Sequence, residues 1–80
     1  MRFTVIWTKS ALNALADLWN HSQNRNAITV AQHIIDQLLK NDPHAKGVDL
    51  YGDRLLVVPP LQVIFSVNDL DMQVVINTVW

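Results

Sequence analysis

The chain has 80 residues, enough for one hydrophobic core and so for a single domain over residues 1–80. Half of it is apolar, 16% is charged against about 25% in a typical soluble domain, and the net charge is −1. Cys is absent, which excludes disulfides and thiolate metal sites, and the six Lys and Arg are too few for a broad nucleic-acid-binding face. All seven acids are Asp, and seven Asn and five Gln supply much of the remaining polarity. The charge is also divided. Residues 1–40 sum to +2, while residues 41–80 set Lys46 and Arg54 against Asp42, Asp49, Asp53, Asp69 and Asp71, giving −3.

Arg2 to Trp7 alternates, with Phe3, Val5 and Trp7 on one side and Arg2, Thr4 and Ile6 on the other, which predicts a short strand. Thr8 then stands as an N-cap. The period changes to that of a helix, with Ala11, Leu12, Leu15, Leu18 and Trp19 on one stripe. After the polar break His21–Asn26, a second helix is capped by Asn24 or Asn26, and its stripe is Ala27, Ala31, Ile34, Ile35 and Leu38. Asn41-Asp42-Pro43 stops it. Leu55–Val58 is a short apolar run, and Pro59-Pro60, unable to donate to a ladder, must form the hairpin connection or a bulge beside it. Leu61, Val63, Phe65 and Val67 alternate in the next strand, and Met72, Val74 and Ile76 in the last. The order is β-α-α-β-β-β, an α+β fold in which a two-helix hairpin packs on a mostly antiparallel sheet.

The last strands are apolar on both faces, since Ile64, Val75 and Val79 sit opposite the inward set. A sheet with one solvated face alternates more cleanly, so a partner protein or a second copy of the chain (a homodimer) is expected to cover part of it, the competing reading being that the chain's own ends fold over it. No apolar run is long enough to span a membrane, and the N-terminus has no signal-like apolar region, so the cytoplasm is the expected compartment.

Gly47, Arg54-Leu55-Leu56-Val57 and Leu61 to Val67, following an alanine-rich first helix, resemble the RelE/ParE superfamily of type II toxin–antitoxin toxins over essentially the whole chain. The Gly52-Asp53-Arg54 and Pro59-Pro60-Leu61 segments and the ending Val79-Trp80 are most similar to its short plasmid-stabilisation-like members. The resemblance implies a toxin neutralised by a cognate antitoxin, with either the ribosome or DNA gyrase as target. RelE-like members cut mRNA on the ribosome with basic residues on the concave sheet face and often a C-terminal Tyr or His. ParE-like members inhibit gyrase and lack that set. Arg54 matches a basic position of the family's central hairpin, but the second hairpin Arg falls on Gln62, and the C-terminal Arg and Tyr have no counterpart.

Attack by a 2′-OH needs a proton acceptor, a cation on the phosphate and an acid for the leaving oxygen. In the second half only Lys46, Arg54, Tyr51 and His44 are available, among five Asp. The reading therefore leans away from an enzyme and toward a ParE-like toxin or one without the full RNase site. The alternatives are a RelE-like mRNA endonuclease and a non-toxic protein-interaction module.

Arg54 and Tyr51 are the candidate catalytic residues: Arg54 for phosphate or a partner carboxylate, Tyr51 as general acid or stacking platform. The competing readings are an ion pair of Arg54 with Asp53 or Asp49, and a Tyr51 that caps the core. Trp7 and Trp19 end apolar patterns and are expected in the core. Trp80, Trp19, Gln62 and Val79 are the candidate partner-binding residues, Trp being enriched at interface hot spots. His21 with Asp17 and His33 with Asp36 share helix faces, but two ligands do not make a zinc site, and no metal or other cofactor is called for. His21 more simply meets the last carbonyls of its helix.

Overall fold

The computed structural model describes residues 2–80. Its elements are β1 (Thr4–Trp7), α1 (Lys9–His21), α2 (Arg25–Lys40), a single 3₁₀ turn (Pro43–Ala45), β2 (Val48–Leu50), β3 (Asp53–Val58), β4 (Leu61–Asn68) and β5 (Gln73–Val79). The strands form one five-stranded sheet in the order β1-β5-β4-β3-β2. All neighbours are antiparallel except β1 and β5, which run parallel with Thr4 opposite Gln73 and Trp7 opposite Ile76. The two-helix hairpin on a mostly antiparallel sheet is as expected, and β2 is an addition. Its three residues carry no alternation long enough to read, and only pairing with β3 makes them a strand.

Local chemistry explains the helix ends. The Thr8 hydroxyl accepts from the Ala11 amide at 3.1 Å, and the Asn24 carbonyl oxygen accepts from the Ala27 amide at 3.1 Å. Asn24, and not Asn26, is thus the second cap. The exposed imidazole of His21 lies 2.7 Å from the Asp17 carbonyl oxygen near the end of α1. Arg25, the first residue of α2, closes the same end, donating from Nε to the Trp19 carbonyl at 3.1 Å and from Nη2 to that of Asn20 at 3.3 Å. One guanidinium therefore ties the two helices at their turn.

Both helices pack on one face of the sheet. Ala11 and Leu15 of α1 and Ile28, Ala31, Ile35 and Leu39 of α2 form one core with Leu56, Leu61, Val63, Phe65, Val74, Ile76 and Val79. The buried stripe of α2 is rotated from the expected one: Ile28 and Leu39 are in, and Ile34 is out. Its orientation is pinned by the Trp7 indole N–H, which donates to Asp36 Oδ1 at 2.9 Å across the β1–α2 contact. Trp7 is accordingly half-buried. Trp19 is not a core residue either; it is 42% exposed, with the Arg25 guanidinium 4.7 Å above its ring.

Val79 corrects another expectation. Pairing steps from Ile64–Thr78 to Phe65–Ile76, so Asn77 has no partner across the ladder. This bulge flips the alternation of β5, and Val79 turns into the core, 4% exposed, away from the open face. Pro59-Pro60, joined by a cis peptide bond, makes the β3–β4 connection as expected.

Two positions in the β2–β3 region test this geometry. Gly47 has a φ of +72°, and a Cβ there would collide with the backbone carbonyl oxygen of Leu55, which has no room to give. Gly47→Ala is expected to lower unfolding free energy by more than about 2 kcal/mol, measured by urea denaturation. The turn joining β2 to β3 is Tyr51-Gly52, with φ of +49° and +101°, the signs of a type I′ hairpin turn. Its first position favours Asn, so Tyr51→Asn is expected to raise the thermal midpoint by a few degrees.

Candidate functional site

Arg54 is the only basic residue in any of the five strands. Its cross-strand partner is Phe65, which is fully buried beneath the helices, so Arg54 lies on the helix side of the sheet. Its guanidinium is spent locally: Nε donates to the Lys46 carbonyl at 2.7 Å and Nη2 to that of Gly47 at 3.2 Å. Neither the ion pair with Asp53 nor that with Asp49 forms, although Asp49 is its neighbour on β2. Charge-assisted bonds to two carbonyls hold the segment that leads into β2.

The other candidates for RNA chemistry do not join it. Tyr51 sits at the tip of the β2–β3 hairpin, fully exposed, and neither caps the core nor faces a cavity. His44 Nε2 lies 2.7 Å from Asp69 Oδ1, and its ring stands edge-on to Phe3 at 6.3 Å. Among the described residues, no hydrogen bond links Arg54, Tyr51 and His44. The face left open by the helices carries Leu55, Val57, Ile64 and Val75 between Gln62, Ser66 and Thr78, and no strand contributes a cation to it. An anionic backbone bound there would meet no strand cation to offset its charge.

Partner-binding candidates gather elsewhere. A cleft of about 510 Å³ opens where the C-terminal half of α1 overhangs the end of the sheet, lined by Ala14, Asp17, Leu18, Ile28, Val79 and Trp80. Trp80 is 43% exposed, and its backbone pairs with Gln62 through Trp80 N–H to Gln62 carbonyl at 2.9 Å and the reverse at 2.8 Å. Gln62 thus anchors Trp80 at the cleft by its main chain. A second groove of about 300 Å³ lies between the helices, with Leu12, Trp19, Asn20, Ile28 and Gln32 along it. Ile28 lines both, so the two hollows flank the α1–α2 crossing. The sequence pattern marks Trp19 and Trp80 but not Ile28 or Leu18, because an apolar helical residue reads as core wherever the helix ends.

No protein-family model matches the chain, and no curated protein matches it. Its fold matches solved structures closely. The toxin–antitoxin complex RelBE2 from Mycobacterium tuberculosis superposes with a TM-score of 0.79 at 18% identity, covering 100% of this chain and 91% of that one. The chromosomal ParDE toxin–antitoxin system of P. aeruginosa gives 0.70 at 20% identity, over 98% and 94%. The archaeal RelE–RelB complex from Pyrococcus horikoshii OT3 gives 0.66 at 19% identity, over 99% and 93%. The chain therefore has the RelE/ParE-like α+β fold, along its whole described length.

Proposed function

We propose that this chain is the toxin of a type II toxin–antitoxin module, neutralised by a cognate antitoxin, and that its toxicity does not proceed by RNA cleavage on the sheet. The fold supports the first part, because the similar chains belong to RelE–RelB and ParD–ParE assemblies. One observation carries the second: Arg54, the single strand cation, faces the helices and is bound to the Lys46 and Gly47 carbonyls. Removing one preorganised electrostatic donor costs an enzyme about 10²–10³ in rate, and here no strand places a cation on the open face. The ParE-like reading, with gyrase as target, is favoured over the RelE-like one on this ground.

The antitoxin segment would occupy the cleft and groove that flank the α1–α2 crossing. Both are concave, mostly apolar and bordered by a half-exposed Trp, the features of a pocket for partner side chains. Asp17 at the cleft invites a Lys or Arg of the partner. The reaction class is thus stoichiometric protein binding.

Induced expression in a bacterium is expected to arrest growth, relieved by coexpressing the product of the adjacent gene; healthy growth at high expression would instead favour an interaction module without toxicity. Arrested cells are expected to show DNA-damage signalling and no ribosome-dependent mRNA cuts. Arg54→Ala should lower unfolding free energy by about 1–3 kcal/mol while leaving toxicity in the fraction that stays folded. Appearance of mRNA cuts that vanish in a folded Arg54→Ala variant would restore the nuclease. Trp80→Ala and Trp19→Ala are each expected to weaken antitoxin binding by about tenfold or more in titration calorimetry.

A further inference from the structure

The helix-free face of the sheet plays no part in the cleft, and its composition points to a different occupant. Val48, Leu50, Leu55, Val57, Ile64 and Val75 share it by register, with Val48 64% and Val57 54% exposed. Among the described residues, its charges lie at its margins. Arg2, exposed and two residues ahead of Thr4, lies beyond the end of β1, bridged to Asn41, and Asp53 stands at the start of β3 toward the β2 edge. Thr4 is level with Gln73 and Asn68, and Arg54 with Phe65, so both charges lie at the same end of the sheet on opposite sides.

We propose that this face is the interface of a homodimer, formed by a second copy of the chain packed sheet on sheet about a two-fold axis along β4, the central strand. Such an axis lays the β1 edge of one copy over the β3–β2 edge of the other and keeps their ends aligned. Each copy's Arg2 then lies toward the Asp53 end of its partner, twice over, while the uncharged Gln62, Ile64 and Ser66 of β4 meet in the middle, flanked by Leu55, Val57 and Val75. An acidic or basic partner finds no matching field on this face, whereas a copy of the same chain matches it by symmetry. Five strands about 4.8 Å apart and about six residues long give a face of about 24 by 20 Å. With its pleat and side chains, that approaches the ~600 Å² per partner at the small end of specific interfaces, so the dimer is reversible and concentration-dependent.

Sedimentation velocity of the purified chain is expected to move from 9.1 kDa toward twice that mass as concentration rises through the micromolar range. Val57→Lys and Val48→Lys, both at exposed positions, should each weaken dimerisation at least about tenfold with an unchanged circular dichroism spectrum. Leu12→Lys, in the groove between the helices, should leave it intact. Arg2→Asp should weaken the dimer a few-fold and Asp53→Arg in the same chain should restore it. A monomer at every concentration would overturn the proposal, and so would a dimer lost in Leu12→Lys but kept in Val57→Lys. Binding of the monomer to phosphatidylcholine vesicles through the same valines would assign the face to a lipid surface instead. This dimer does not depend on toxicity, so its failure would leave the toxin reading untouched.

Discussion

One-sided burial is the constraint from which the rest of this structure follows. Five strands present two faces, but two helices can cover only one, and they converge on Val63, Phe65, Val74 and Ile76. Among the described residues no helix lies over the other. The second face is therefore open with apolar residues still on it, and the places where the helices end, over the sheet's end and between themselves, become the hollows.

A small core of this kind is supplemented by a few polar ties, each made by a residue that binds backbone or reaches between elements. Arg25 links the end of α1 to the start of α2, Asp36 links α2 to β1 through Trp7, and Arg54 holds the entry to β2. Each tie uses one of the few charged groups in the chain. The scarcity of charge thus bears on function twice: few cations exist, and two of the six are bound to carbonyls.

The fold alone does not choose an activity, because one architecture supports different chemistries through the residues placed on it. RelE–RelB and ParD–ParE assemblies both match this backbone. What separates the readings is the orientation of one side chain. An Arg on the open face would keep a phosphate-binding chemistry available, whereas the same Arg turned beneath the helices becomes a structural clamp.

The sequence by itself determined the elements whose signals are local. Thr8 and Asn24 cap helices through their own side chains, Pro59-Pro60 cannot donate to a ladder, and the alternation from Leu61 to Val67 selects its inward set without outside help. Tertiary structure decided whatever depends on a partner strand or a neighbouring helix. The three residues of β2 are a strand only because β3 lies beside them, and Val79 faces inward only because Asn77 bulges out of register. Trp19 reads as core until the end of α1 leaves it under Arg25. The role of Arg54 was least legible of all. A guanidinium near two carboxylates in sequence suggests an ion pair or a phosphate site, but cross-strand pairing with Phe65 puts it on the helix side of the sheet, where it binds the Lys46 and Gly47 carbonyls although Asp49 is opposite it on β2.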